Sequence, residues 1–326
     1  MLVLVDWLGR IARAADAAGD RGEPFRVPQA MPDPQRLLRT LRQAADAFRT
    51  TPGRRGRFVQ LTGADEVLVA GDLHGDLENF KRLLRLADLG RHPRRHFVLQ
   101  ELLHGPYRYP GGGDQSHRLL DVVAALKCQY PDRVHVLMGN HELSQWTNRA
   151  IMKGDEDLLQ LFRQGVETAY DEQAAAVYAA YEELFAVMPF ALRTPNRVFL
   201  SHSVPSRQRL DAWELAMLCQ DEHGPDAHKL GGCLHAVVWG RDVSAETVQR
   251  YLQKVDADLL ISGHIPCSTG YHVPNPYQLI LDCKDEQACC CLFPADRALT
   301  QADLLAGVRR LYPELGEAQG ADADST

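Results

Sequence analysis

The sequence has no run of about 20 apolar residues, the length a helix needs to cross a bilayer, so no transmembrane helix is expected. It has no basic excess either. Its 36 Lys and Arg are outnumbered by 43 Asp and Glu, for a formal net charge of -7, whereas a dedicated nucleic-acid binder needs cations to neutralise phosphates. The opening MLVLVDWLGR carries no basic residue ahead of its short apolar run, and Asp6 interrupts that run. A secretory signal needs a basic start and an unbroken apolar segment, so the stretch reads as an amphipathic helix of a cytoplasmic protein. None of the eight cysteines stands in CxxC spacing, which removes the usual zinc-thiolate pattern. Cys289, Cys290 and Cys291 lie in QACCCLF, a strand-like run whose neighbours point to opposite faces, and are expected as small buried hydrophobes. No internal repeat of solenoid length is present.

What is present is an ordinary globular composition, 45% hydrophobic and 24% charged, long enough for one large or two medium domains. Residues 1–56 read as a helical extension, in which DWLGRIARAADAAGD and DPQRLLRTLRQAADAFRT show helical apolar spacing around the proline-rich RGEPFRVPQAMPDP. From about residue 57, short apolar runs alternate with helical segments: EVLVAGDLHGD, RHFVLQELLHG, RVHVLMGNHE, RVFLSHSVPS, DLLISGHIP and YQLILDC. This alternation predicts an α/β domain over 57–298, its strands covered on both faces, with a helical insertion at about 155–188. A helix and a small acidic tail, expected to be disordered, complete residues 299–326.

Five of the apolar runs end in a group able to bind metal, and sites in α/β sheets gather at the carboxyl ends of strands. In GDLHGD, Asp72 and His74 stand two apart between glycines that free the backbone to turn. Asp76 is better placed to cap the helix starting near Leu77, which leaves Asp72 and His74 for an ion. In GNHE, Asn140 offers a neutral hard oxygen. His141, beside it, points elsewhere and suits a proton donor. The bland alternative is a Gly-Asn turn in the left-handed conformation. SHSVPS supplies His202 and ISGHIPCS supplies His264. One histidine after a strand is commonplace; two, in a chain already holding GDLHGD and GNHE, are better explained as ligands. Two divalent ions about 3.5–4 Å apart need this mixture of carboxylate, amide and imidazole.

These residues resemble the calcineurin-like metallophosphoesterases, and within them the phosphoprotein phosphatase branch acting on serine/threonine phosphate. GDLHGD matches the opening motif GDxHG, and GNHE matches the third motif unchanged. SHSVP and ISGH stand where the family has its histidine motifs, over a span from about Val67 to Asp285. The resemblance implies a two-layered β-sandwich core flanked by helices, with two divalent metal ions (manganese foremost, iron or zinc otherwise) at one end of the sheets. It places Asp72, His74 and His264 on one ion, Asn140 and His202 on the second, and makes His141 the general acid. It makes Arg241 of VVWGRD the fork for the phosphoryl oxygens. The implied substrate is a phosphorylated protein or a small phosphoester, with no nucleic-acid or membrane partner.

The family's second motif, GDxxDRG, is missing. In its place stands FVLQELLHG, in which Glu101 takes the position that bridges both ions. Gln100 replaces glycine, His104 replaces the aspartate that orients the catalytic histidine, and Gly105 falls where a phosphate-binding arginine should be. The exchange at 104 is expected to deprive His141 of the group that raises its basicity. Arg108 and Arg118 are the candidates to replace the arginine. Ser203 and Val204 replace two glycines and are expected to crowd the site. GPYRYPGGGDQSH reads as a flexible loop with two tyrosines, one that covers the cleft or recognises a substrate, or else is plain surface. A metal-dependent phosphomonoesterase, most simply a serine/threonine protein phosphatase, accounts for these residues. The alternatives are a nucleotide hydrolase of the diadenosine tetraphosphate type, or a catalytically weakened metal-binding protein that recognises a phosphorylated partner.

Overall fold

The computed structural model describes residues 33–313. The expectations for the first amphipathic helix, for the proline-rich segment up to residue 32 and for the acidic tail lie outside the described residues. In chain order the strands are β1 (Arg54–Arg55), β2 (Phe58–Gln60), β3 (Glu66–Asp72), β4 (Arg95–Gln100), β5 (Arg108–Tyr109), β6 (Gly112–Asp114), β7 (Val134–Leu137) and β8 (Met152–Lys153). They continue with β9 (Glu156–Asp157), β10 (Ala191–Arg193), β11 (Val198–Ser201), β12 (Leu259–Ser262), β13 (Tyr271–Asn275), β14 (Gln278–Leu281), β15 (Cys289–Pro294) and β16 (Val308–Arg310). One sheet runs β1-β2-β10-β11-β12-β14-β13 and the other β16-β15-β3-β4-β7.

Burial on both faces of the strands explains their unbroken apolar runs. Along β3, Val67 and Val69 join Val98, Leu200, Ile261 and Leu279 in a core drawn from both sheets, while Leu68 and Ala70 point the other way into the helix-covered core. That is the two-residue alternation of a pleated strand. The cysteine run obeys it: Cys291 packs between the sheets and Cys290 on the opposite side. The molecule is a mixed α/β sandwich flanked by helices.

Both flanks of the expected domain are built into this body. The helix Pro34–Arg49, capped by Asp33, buries Leu37, Leu38, Leu41, Ala44, Ala45 and Phe48. At the other end β16 pairs antiparallel with β15, Val308 opposite Cys291. The span read as 155–188 is filled by helices Leu158–Tyr170 and Ala174–Phe185. Among the described residues, no helix is long and apolar enough to cross a membrane.

The glycine-rich segment differs from the flexible loop expected. β5 and β6 form a hairpin, and a Cβ on Gly165 of the facing helix would fall 1.9 Å from Asp114 O, so the hairpin is seated against that helix by close backbone approach.

Parallel pairing aligns the strands that matter. β3, β4 and β7 run together, as do β11, β12 and β14, and the bridge Asp72–Asp282 joins the two sheets at their carboxyl ends. Every motif read from the sequence therefore emerges at one edge of the sandwich.

Candidate active site

At this edge His74 (φ 44°), Glu101 (φ 47°), His104 (φ 61°) and His264 (φ 68°) adopt left-handed backbone. Such conformations are uncommon for residues with a Cβ and persist only where surroundings hold them. Here the holding bonds are explicit. Leu73 N–H and His74 N–H both donate to Glu101 O at 2.9 Å, and Gly75 N–H donates to Leu102 O at 2.8 Å. The fully buried Glu142 carboxylate accepts the N–H groups of Leu102 (2.7 Å), Leu103 (3.1 Å) and Gly139 (3.1 Å), tying the loop after β4 to the one after β7. GNHE is a strand-to-helix junction rather than a left-handed turn: Gly139 is extended (φ -96°) and Asn140 opens the helix Asn140–Trp146.

A cavity of about 120 Å³ is lined by Asp72, His74, Glu101, Asn140, His141, Arg241, His264, Pro266, Asp282 and Lys284. His202 lies fully buried against it, with Nε2 2.6 Å from Glu101 Oε2 and 3.0 Å from Asn140 Oδ1. Its Nδ1–H is taken up by Gln100 Oε1 at 3.1 Å, which leaves the Nε2 lone pair facing those two oxygens, the outer support usual for a metal-binding imidazole. His264 Nδ1 is 2.8 Å from Asn140 Oδ1, and its Nε2 is buried without a partner. One ligand atom each from Glu101, His202 and His264 lie within 4.8 Å of one another.

The electrostatics fit a divalent cation. Burial pushes Glu101 up to about 8. It raises Asp72 well above the carboxylate range, with Glu101 and Asp282 adding repulsion. Burial also lowers His74 to about 4, His202 to about 3 and His264 to about 2, the last helped by His202 and Arg241. Neutral imidazoles and crowded carboxyl oxygens turned on one cavity are what a hard or borderline cation completes. Two glycines keep the cradle open: a Cβ on Gly263 would fall 2.1 Å from Asp72 Oδ1, and one on Gly139 2.6 Å from Glu101 Oε2.

The resemblance groups His264 with Asp72 and His74, and the structure places its backbone and its ring on different partners. His264 gives Asp72 its backbone N–H, at 2.9 and 3.2 Å, while its left-handed backbone turns the ring toward Asn140 and His202.

His141 donates its backbone N–H to Glu101 Oε1 at 3.0 Å, and its ring stands edge-on to His74. Its Nδ1 lies 2.6 Å from His104 Nδ1. His104 Nε2–H donates to Gln145 Oε1 at 3.1 Å, and Gln145 in turn donates to Tyr178 Oη at 2.6 Å. With the His104 proton on Nε2, its Nδ1 accepts from His141 Nδ1–H. His104 thus keeps an acceptor on His141, without the negative charge an aspartate brings. Burial, reinforced by His104, holds His141 well below the ordinary histidine range.

Arg108 and Arg118 do not line the cavity. Arg108 Nη1 donates to Gly105 O and its head lies 3.7 Å from Asp114 and 3.6 Å from Glu156; Arg118 donates to Gln115 at 3.0 Å beside a separate cavity. Ser203 and Val204 do not crowd the site either. Ser203 Oγ accepts Gly240 N–H at 2.9 Å, and a Cβ on Gly240 would meet Val204 O at 1.7 Å, so the pair seats the loop that carries Arg241.

Four residues escape the sequence reading. Asp282 lies in YQLILDC and Lys284 just after it, and that apolar run ends in a group able to bind metal like the five others, so the signal was there. Glu142 is in GNHE, yet nothing local says that it holds the loop after β4. Gln145 acts on His104 across 41 positions, and no local pattern points to that contact.

Residues 66–268 match the family described as calcineurin-like phosphoesterase. A protein of Encephalitozoon cuniculi named as a probable serine/threonine-protein phosphatase is 26% identical over 232 residues, covering 66% of this chain and 46% of that protein. The match thus spans less than half of that relative's length. Among solved structures, a protein serine/threonine phosphatase from Saccharomyces cerevisiae with similarity to human phosphatase PP5 superposes with a TM-score of 0.62 at 14% identity, over 83% of this chain and 86% of that one. A cold-active protein-tyrosine phosphatase of a psychrophilic Shewanella gives a TM-score of 0.51 at 14% identity, over 74% and 78%. At such identity these likenesses concern the fold.

Proposed function

The chain belongs to the calcineurin-like phosphoesterase family, and on that premise we propose that it is a metal-dependent phosphomonoesterase acting on phosphorylated serine or threonine. The observation that carries the reading is convergence. Donor groups from the ends of β3, β4, β7, β11 and β12 meet in one small cavity with a histidine and an arginine at its wall. The name of the Encephalitozoon relative supports the serine/threonine preference.

Asp72 and His74 would hold one ion, Asn140, His202 and His264 the other, with Glu101 between them. Two divalent cations, manganese foremost, would supply neutralisation of the phosphoryl charge and activation of water. The protein's share of phosphoryl transfer is then positioning and electrostatics. Arg241 grips two phosphoryl oxygens as a fork, which fixes the ester oxygen relative to His141. His141 hands a proton to that leaving oxygen. His104 accepts from Nδ1–H and so leaves His141 Nε2 as the nitrogen free to exchange a proton with substrate. Burial works against a charged His141, and the arriving phosphate dianion offsets this by favouring the protonated ring. Ser203 serves the reaction indirectly, by seating the Arg241 loop.

The test is hydrolysis of p-nitrophenyl phosphate with manganese, wild type against His141→Ala. Activity that this substitution abolishes supports the reading. Absence of hydrolysis with any divalent metal, although two ions bind, contradicts it and leaves a phosphate-recognition protein. Phosphoserine, phosphotyrosine and dinucleotide substrates then rank the preference.

A further inference from the structure

We propose that Lys284 is a phosphate ligand of this site, supplying from beyond β14 the cation that the missing arginine would have supplied beyond β4. The proposal rests on the phosphoesterase reading above and deepens it.

No side chain can return at the vacated position. A Cβ on Gly105 would fall 2.1 Å from His74 O, so the backbone itself occupies the space where an arginine would start. Arg108 and Arg118 are engaged elsewhere, as described. The cations that line the cavity are Arg241, from the loop after the helix Cys233–Trp239, and Lys284, from the turn after β14. They reach the cavity from two separate segments of the chain, as two grips on one tetrahedral anion require.

Lys284 also stands on a constructed turn. Asn79, fully buried on the helix Leu77–Ala87 that follows His74, donates both amide protons to this turn, to Cys283 O at 2.8 Å and to Asp285 O at 2.9 Å. Its Oδ1 accepts from Tyr312 Oη at 2.8 Å, so the amide is fully committed. Cys283 N–H donates to Asp72 O at 3.0 Å, Lys284 N–H donates to Asp282 Oδ1 at 3.2 Å, and Asp285 closes the turn in left-handed backbone (φ 61°). The residue that carries the ammonium is thereby tied to the strand end that carries Asp72. A solvating surface lysine needs none of this support.

The ammonium itself retains donors. Among the described residues its acidic neighbour within 4 Å is Asp282 Oδ2, at 3.9 Å, and 38% of the side chain is exposed, which makes a loose pair rather than a committed one. An ammonium carries three donors and no acceptor, so an anion entering the cavity meets open hydrogen-bonding capacity. The rival role is charge balance for Asp282 and Asp72. The two roles separate by ligand: a phosphate ligand changes phosphate affinity, and a balancing charge changes metal affinity.

The experiment uses the full chain loaded with manganese and measures inorganic phosphate binding by calorimetry for wild type, Lys284→Met and Lys284→Arg. Manganese binding without phosphate is measured in parallel. Loss of one charge-assisted hydrogen bond predicts phosphate affinity about 10- to 100-fold weaker in Lys284→Met and within a few-fold of wild type in Lys284→Arg, with manganese affinity unchanged in both. Unchanged phosphate affinity in Lys284→Met overturns the proposal, and if manganese binding tightens at the same time, Lys284 is a balancing charge. A wild type that binds manganese but neither binds phosphate nor hydrolyses p-nitrophenyl phosphate overturns the parent reading as well, an outcome distinct from the first.

Discussion

His104 Nδ1 and His141 Nδ1 stand 2.6 Å apart, so a single proton lies between two imidazoles. Where the family keeps a charged aspartate, this chain keeps a neutral acceptor whose far nitrogen is held by Gln145. Orientation is preserved and charge is not. His104→Ala is therefore expected to lower kcat by about 10- to 100-fold with KM nearly unchanged, since the group acts on the acid and not on substrate. Steady-state kinetics on p-nitrophenyl phosphate checks it. A change confined to KM would instead place His104 in substrate binding.

Glu101 is a buried carboxylate beside Asp72, and repulsion there serves metal binding at the expense of the metal-free fold. Glu101→Gln keeps an oxygen for His141 N–H and offers an N–H to His202 Nε2, whose lone pair now faces a carboxylate oxygen. The metal-free variant is expected to melt a few degrees above wild type. Its stabilisation by manganese is expected to be lost. Thermal melts with and without manganese give both quantities.

The cradle glycines make a sharper control. Gly263→Ala places a methyl group on Asp72 Oδ1, whereas Gly90→Ala meets nothing within 4 Å. The first is expected to cut manganese affinity by more than about tenfold, because a ligand moved by an ångström loses its geometry. The second is expected to leave it unchanged. Calorimetric titration of both variants distinguishes a built metal site from a loose acidic patch.

Far from this edge, Lys127 is wholly buried, its ammonium donating to Thr51 Oγ1 (2.9 Å), Pro131 O (2.6 Å) and Val134 O (2.9 Å). Burial pulls its pKa from 10.5 down to about 7. Between those values the unfolded chain binds the proton that the folded chain lacks, so stability from this group rises with pH. Relative to Lys127→Met, the wild type is expected to gain on the order of 3–5 kcal/mol from pH 7 toward pH 10. Urea denaturation at several pH values checks the sign; a gain on going down in pH would contradict it.

The parts of this account legible in the sequence are the local ones. An apolar run followed by Asp72, Glu101, Asn140, His202 or His264 announces a strand end, and parallel pairing then brings such ends together without further information. What escaped depends on the third dimension. The His264 ring turns toward Asn140 from a residue in left-handed backbone, a direction no local pattern encodes. Whether GPYRYPGGGDQSH moves or packs depends on Gly165, about 50 residues away in the chain. The role of His104 depends on Gln145. The pairing of β16 with β15 hides in a short polar VRR that no apolar pattern marks.

The most direct measurement is anomalous diffraction from crystals of the full chain grown with manganese. The account predicts two peaks in the cavity, about 3.5–4 Å apart, one beside Asp72 and His74, the other beside Asn140, His202 and His264, with Glu101 between them. No peak there, or manganese bound only elsewhere while His202 Nε2 remains against the Glu101 carboxylate, would contradict it.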